Sequence, residues 1–204
     1  MENEKIPVVF TQAEDGSGSS AEKEKSQEEA MEFVNRHRDF FEHYARGKIK
    51  FEPAAEGMDT FGFDLKTNTI YISPRFYRDL GFSEEKTSFA TLHEAEHFLE
   101  KMGMLSEDGG EKKFGGYLKR IQESEAYGLM DNCVADVREN GAVVQKTNQS
   151  FRDIEIDCYK KDLFKETDFT KEPKHIQFCY ALLREARVPG EECQVAPDVR
   201  KKLD

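Results

Sequence analysis

Long apolar runs are missing from this chain of 204 residues. No stretch approaches the ~20 consecutive apolar residues that a membrane-spanning helix needs. The opening "MENEKIPVVF" also lacks the basic region and the long apolar region of a signal peptide. We therefore expect a soluble, cytoplasmic protein with no membrane partner.

Basic stretches and paired cysteines are missing as well. The formal net charge is −11 at pH 7, and no lysine- or arginine-rich stripe could displace the counterions of a phosphate backbone. Nucleic acid is therefore not an expected partner. The absence of a CxxC pair argues against a disulfide framework and against a thiolate zinc knuckle. We expect buried free thiols at the four cysteines, Cys133, Cys158, Cys179 and Cys193.

Length and composition favour one globular domain that follows an acidic tail. Hydrophobic residues make up 37% of the chain, which is enough for a single core. Residues 1–29 contain eight acidic residues against three lysines, and such a composition cannot offset the entropy cost of ordering. The sequence thus predicts a disordered tail over 1–25 and a single domain over 26–204. The alternative for the tail is a prosegment that lies in a cleft through "IPVVF".

Residue patterns predict three short strands followed only by helices, which is typical of an α+β domain. The strands are expected in "KIKFEP", "TFGFDL" and "NTIYISP", and "LSEDGGEKKFGG" is expected to be a loop. The C-terminal part is expected to be helical and rich in loops. The other predicted helices run over residues 26–47, 74–82, 83–103 and 117–140.

The stretch "TLHEAEHFLE", residues 91–100, contains the H-E-x-x-H pattern. Residues four apart lie one above the other on a helix, so His93 and His97 can direct two imidazole nitrogens at one point about 2.1 Å from each. Glu94 is rotated by one position and can reach a water on that metal without binding the metal itself. A solvated helix with incidental histidines is the competing interpretation. The surrounding apolar residues argue against it, because they indicate a buried helix in which unpaired polar groups are costly.

A catalytic zinc needs three protein ligands and a water, so a third ligand must come from another element. At about 100° per residue, one narrow stripe of the predicted long helix is apolar in its first half and polar in its second. Asp136 on this stripe is the preferred third ligand, with Glu125 and Glu139 as alternatives. The stripe consists of Phe114, Leu118, Ile121, Glu125, Leu129, Asn132 and Asp136.

Together these patterns resemble the zincin-like metallopeptidase domains of bacterial proteins, which often stand beside von Willebrand-type modules. In that family HExxH is followed by a helix of the form N-x-x-[E/A/D]-D-x-x-x-N. The matching stretch "DNCVADVREN" places Asn132, Ala135, Asp136 and Asn140 at those positions. The resemblance covers roughly residues 50–145. It implies a zincin-like fold, in which a small antiparallel-containing sheet packs on the HExxH helix and on a long second helix.

The leading interpretation is a zinc-dependent metallopeptidase that hydrolyses peptide bonds in a peptide or protein substrate. The cofactor Zn2+ would lower the pKa of its water to about 7, and Glu94 would take the proton as general base. An extended peptide could add to the free edge of the strand in "NTIYISP". The alternative is a zincin-like metal-binding or interaction module without turnover, because a fold does not determine a function.

Overall fold

The chain contains one small sheet and many helices, which confirms the α+β prediction. It forms two compact units, Met1–Ser106 and Glu107–Asp204. The zincin fold and the single domain over 26–204 stay predictions. Within the part of the chain that the structure describes, no helix is both long enough and apolar enough to cross a membrane. This computed structural model describes residues 6–7, 20–47, 49–54, 62–73 and 83–204.

The first unit begins with a two-residue strand and two helices, β1 (Ile6–Pro7), α1 (Ser20–Arg36) and α2 (Arg38–Tyr44). The prediction of one continuous helix over 26–47 is wrong, because the backbone leaves the helical region at His37, with φ −108° and ψ 14°. The bend lets both helices contribute to one core, where the ring centroids of Phe33 and Phe41 lie 6.2 Å apart.

Part of the predicted tail overlaps these elements, since β1 and the start of α1 fall within residues 1–25. The rest of that tail, residues 1–5 and 8–19, lies outside the described residues, as does the expected helix over 74–82. The disordered tail therefore stays a prediction.

The sheet consists of β1 with β2 (Lys50–Pro53), β3 (Gly62–Asp64) and β4 (Thr69–Ile72), each of the last three within a predicted strand. The strand order is β1-β3-β4-β2, with β3 antiparallel to both β1 and β4, and β2 parallel to β4. The free edge expected along "NTIYISP" is wrong, because β4 has a hydrogen-bonded neighbour on each side. This position buries the apolar side chains of β4, since Ile70 and Ile72 are both 0% exposed.

The HExxH motif lies on α3 (Glu84–Ser106), which packs on β3 and β4. The hydroxyl of Ser83 accepts a hydrogen bond from the Lys86 N–H at 3.3 Å, so the helix begins where the sequence predicted. It continues three residues beyond the predicted end at Gly103. Every residue from 91 to 98 is buried, which confirms that the motif is inside the protein rather than on a solvated helix.

The second unit is helical, and it differs from the prediction at its start. The expected loop becomes helical at Gly110, and the expected long helix is interrupted at Ser124, whose φ is −150°. The Ser124 hydroxyl caps the next helix by accepting from the Tyr127 N–H at 3.2 Å, and the break lets Ile121 approach Gly128 closely. The elements are α4 (Gly110–Glu123), α5 (Glu125–Lys146), α6 (Gln149–Asp157), a π-helical segment (Cys158–Leu163), α7 (Lys174–Arg187) and α8 (Pro197–Leu203).

The core of the second unit forms mainly where α5 packs on α7. Three of the expected thiols lie in this core, Cys133, Cys179 and Cys193, and all four cysteines are free and buried, as predicted. Because the helix breaks at Ser124, the predicted seven-residue stripe is divided between α4 and α5. Two polar residues of the stripe, Asn132 and Asp136, both lie on α5, one helical turn apart.

Candidate metal centre

The two motif histidines meet inside the first unit. Their Nε2 atoms lie 3.0 Å apart, and the side chains of His93 and His97 are 2% and 3% exposed. Two nitrogens bound to one tetrahedral zinc at about 2.1 Å would lie about 3.4 Å apart. The observed separation is close to this value, so both atoms can serve one metal ion. The helix itself produces this arrangement, because one turn of α3 separates the two residues.

Glu94 follows His93 directly on α3 and is 1% exposed. An ionised carboxylate is costly to bury unless cations or hydrogen bonds compensate its charge. A divalent cation on the neighbouring imidazoles would provide such compensation. Glu94 lies at the place expected for a general base, next to His93 on α3. Its role as the base stays a prediction.

Phe63 on β3 packs against the ring of His97. This contact was not predicted from the sequence. The two rings stack with centroids 6.3 Å apart and an interplanar angle of 21°. Phe63 is 5% exposed, so its ring is fixed in the core of the first unit. Alternation along the strand indicates an inward-facing residue here, but no local signal identifies its partner.

The predicted third ligand lies in the second unit, on α5. Asp136 is 1% exposed, and its Oδ2 accepts a hydrogen bond from Asn132 Nδ2 at 3.1 Å. Of the two alternatives, Glu139 is 5% exposed, whereas Glu125 is exposed in the first turn of α5. Burial therefore favours Asp136 and Glu139 over Glu125 as residues that could bind a metal ion.

The second asparagine of the pattern has a different partner. Asn140 Nδ2 donates to the hydroxyl of Tyr159, on the π-helical segment, at 2.8 Å. Burial raises the pKa of the Tyr159 phenol well above its ordinary value of 10.0, and the charge of Asp136 raises it further. The phenol therefore stays protonated at neutral pH. Tyr159 was missed in the sequence because it lies 19 residues away from Asn140, on a different element.

The described residues thus include three buried side chains, His93, His97 and Asp136, that each offer one atom able to bind a metal ion. Imidazole nitrogens and carboxylate oxygens are the donors that catalytic zinc sites commonly use. Support for the zincin resemblance comes only from the chain's own residues. No protein-family model, no curated protein and no solved structure matches this chain.

Proposed function

We propose that this chain is a zinc metallopeptidase in which His93 and His97 bind the metal and Glu94 is the general base. The observation that carries the proposal is the buried pair of Nε2 atoms, 3.0 Å apart, beside a buried glutamate on the same helix. Asp136 is proposed as the third ligand because of its place in the N-x-x-x-D-x-x-x-N pattern and its burial.

Zinc bound there would polarise the scissile carbonyl and acidify a water molecule. His93 and His97 would contribute neutral Nε2 atoms, and the stacked Phe63 would keep the ring of His97 in one orientation. Glu94 would accept a proton from the attacking water and pass it to the leaving amine. Because these side chains are buried, bulk water would compete little with their electrostatic interactions.

The test measures zinc content and hydrolysis of a fluorogenic protein substrate by the full chain. Glu94→Gln is expected to keep zinc and lose hydrolysis, since an amide fits the same space but cannot take the proton. His93→Ala and His97→Ala are expected to lose zinc. His175→Ala is the matched control, because His175 is exposed on α7 and should leave both measurements unchanged.

Three other results would change the proposed function, each in a different way. If the wild-type chain binds no zinc, the proposal is wrong. If Glu94→Gln releases the metal, Glu94 is a ligand and not the base. If the wild type binds zinc but cleaves neither proteins nor peptides, the chain is a metal-binding or interaction module without turnover.

A further inference from the structure

We propose that Asn132 is a positioning residue that presents the carboxylate of Asp136 to the metal. The inference rests on the proposed function and extends it by one residue. It starts from the hydrogen bond in which Asn132 Nδ2 donates to Asp136 Oδ2 at 3.1 Å, across one turn of α5.

This bond distinguishes the two oxygens of Asp136. Oδ2 accepts from the Asn132 amide, and this bond restricts the rotation of the carboxylate that is proposed to bind zinc. An amide does not ionise in the physiological pH range, so the donor persists whatever the state of its neighbours. Hydrogen bonds of this kind fix the orientation of a ligating group and tune its affinity for metal.

The helix gains little else from an asparagine at this position. Asn132 lies in the interior of a 22-residue helix, where asparagine is among the weaker helix formers. The side chain of Asn132 is only half-buried, so water could satisfy its amide. The amide instead bonds the carboxylate of Asp136, which is 1% exposed. A residue that weakens its own helix yet bonds a buried candidate ligand fits a functional role better than a packing role.

Asn140 lies one turn beyond Asp136 and provides an internal comparison. Its Nδ2 donates to the hydroxyl of Tyr159 and so ties α5 to the π-helical segment. The two asparagines of the pattern therefore have different partners: Asn132 bonds the candidate ligand, and Asn140 bonds a neighbouring element of the same unit.

The test compares Asn132→Leu with Asn132→Gln in the full chain. Leucine keeps a similar size and removes the donor, so the Kd for zinc, measured by chelator competition, is expected to rise ~10–100-fold. Glutamine four residues before an aspartate can still donate on a helix, so it should restore part of the affinity. Gln145→Leu, an exposed amide on the same helix, is the control and should bind zinc as the wild type does.

Thermal unfolding in the presence of a chelator distinguishes a positioning role of Asn132 from a packing role. A positioning role predicts that the metal-free Tm of Asn132→Leu stays near that of the wild type, while the rise in Tm on adding zinc becomes smaller. An unchanged Kd for zinc in Asn132→Leu would overturn the inference. A lower metal-free Tm together with an unchanged increase in Tm on adding zinc would also overturn it. Equal zinc affinity in Asp136→Ala and wild type would remove Asp136 as a ligand, which is a failure of the proposed function itself.

Discussion

The ring of Phe63 on β3 stacks against the imidazole of His97 on α3, with centroids 6.3 Å apart and an interplanar angle of 21°. The contact joins the sheet to the motif helix within the first unit. A metal ligand must be held in one orientation to bind tightly, and here a buried aromatic ring from the sheet restricts the imidazole. The sheet thus contributes to the candidate metal centre without supplying a ligand.

Phe63→Ala should therefore destabilise the protein strongly. Removing a buried ring leaves a cavity, and the expected loss in the free energy of unfolding is ~3–5 kcal/mol, measured by urea unfolding of the metal-free chain. Phe40→Ala is the control, because Phe40 is 46% exposed and its removal should cost much less than that of Phe63. Equal losses in the two variants would show that Phe63 is not part of a packed core.

The third ligand can be identified by comparing three alanine variants. Asp136→Ala should weaken zinc binding by more than ~100-fold, because losing a ligand costs more than losing a residue that merely supports one. Glu125→Ala should have no effect, since that carboxylate is exposed. Isothermal titration with zinc measures all three. If Glu139→Ala loses the metal while Asp136→Ala keeps it, Glu139 is the third ligand.

Removing one partner from a buried ion cluster should destabilise the second unit strongly. Glu155 is 0% exposed and accepts hydrogen bonds from Arg187 Nη2 at 2.8 Å and Arg152 Nη1 at 2.7 Å. Glu155→Ala leaves these guanidinium groups without their carboxylate and should cost ~3–5 kcal/mol in urea unfolding.

The control for this variant is Glu107→Ala, which removes an equally short but exposed ion pair with Lys113, 2.6 Å long. Its expected cost is much smaller than that of Glu155→Ala, because water and salt screen an exposed ion pair. Similar costs in the two variants would mean that burial does not strengthen the Glu155 cluster.

One ion pair should affect stability at acid pH. Arg200 donates to the two oxygens of Glu185 at 2.9 and 2.7 Å, and this hydrogen bonding lowers the Glu185 pKa below its ordinary value of 4.5. The native state therefore binds this proton less readily than the unfolded state. The stabilisation is complete above pH 4.5 and is lost as the pH falls through the lowered pKa.

Glu185→Gln should accordingly reduce the Tm at neutral pH and flatten its decline between pH 5 and pH 2, measured by circular dichroism melts. Asp153→Asn, at an exposed position on α6, is the control and should follow the wild-type curve. A Glu185→Gln curve parallel to the wild type across this range would contradict the assignment.

Features that depend on neighbouring residues could be predicted from the sequence. The three strands fall within the stretches expected for them, and α3 begins after Ser83, because side-chain alternation and helix caps are local properties. The pairing of His93 with His97 is likewise local, since it requires only one helical turn. The break at Ser124 was missed although a cap signal was present, because a serine followed by a glutamate can also lie within a helix.

Features that depend on distant residues were decided by the tertiary structure. The position of β4 inside the sheet requires β2 to pair with it in parallel, and no pattern within "NTIYISP" specifies that partner. The stacking of Phe63 on His97 and the bond from Asn140 to Tyr159 join residues 34 and 19 positions apart. Residue types and the helical period alone indicated which side chains could bind a metal ion and how one helical turn spaces the two histidines. The residues that contact these candidate ligands, such as Phe63 against His97, follow only from the tertiary structure. Such contacts depend on how the elements pack and not on the period of any one element.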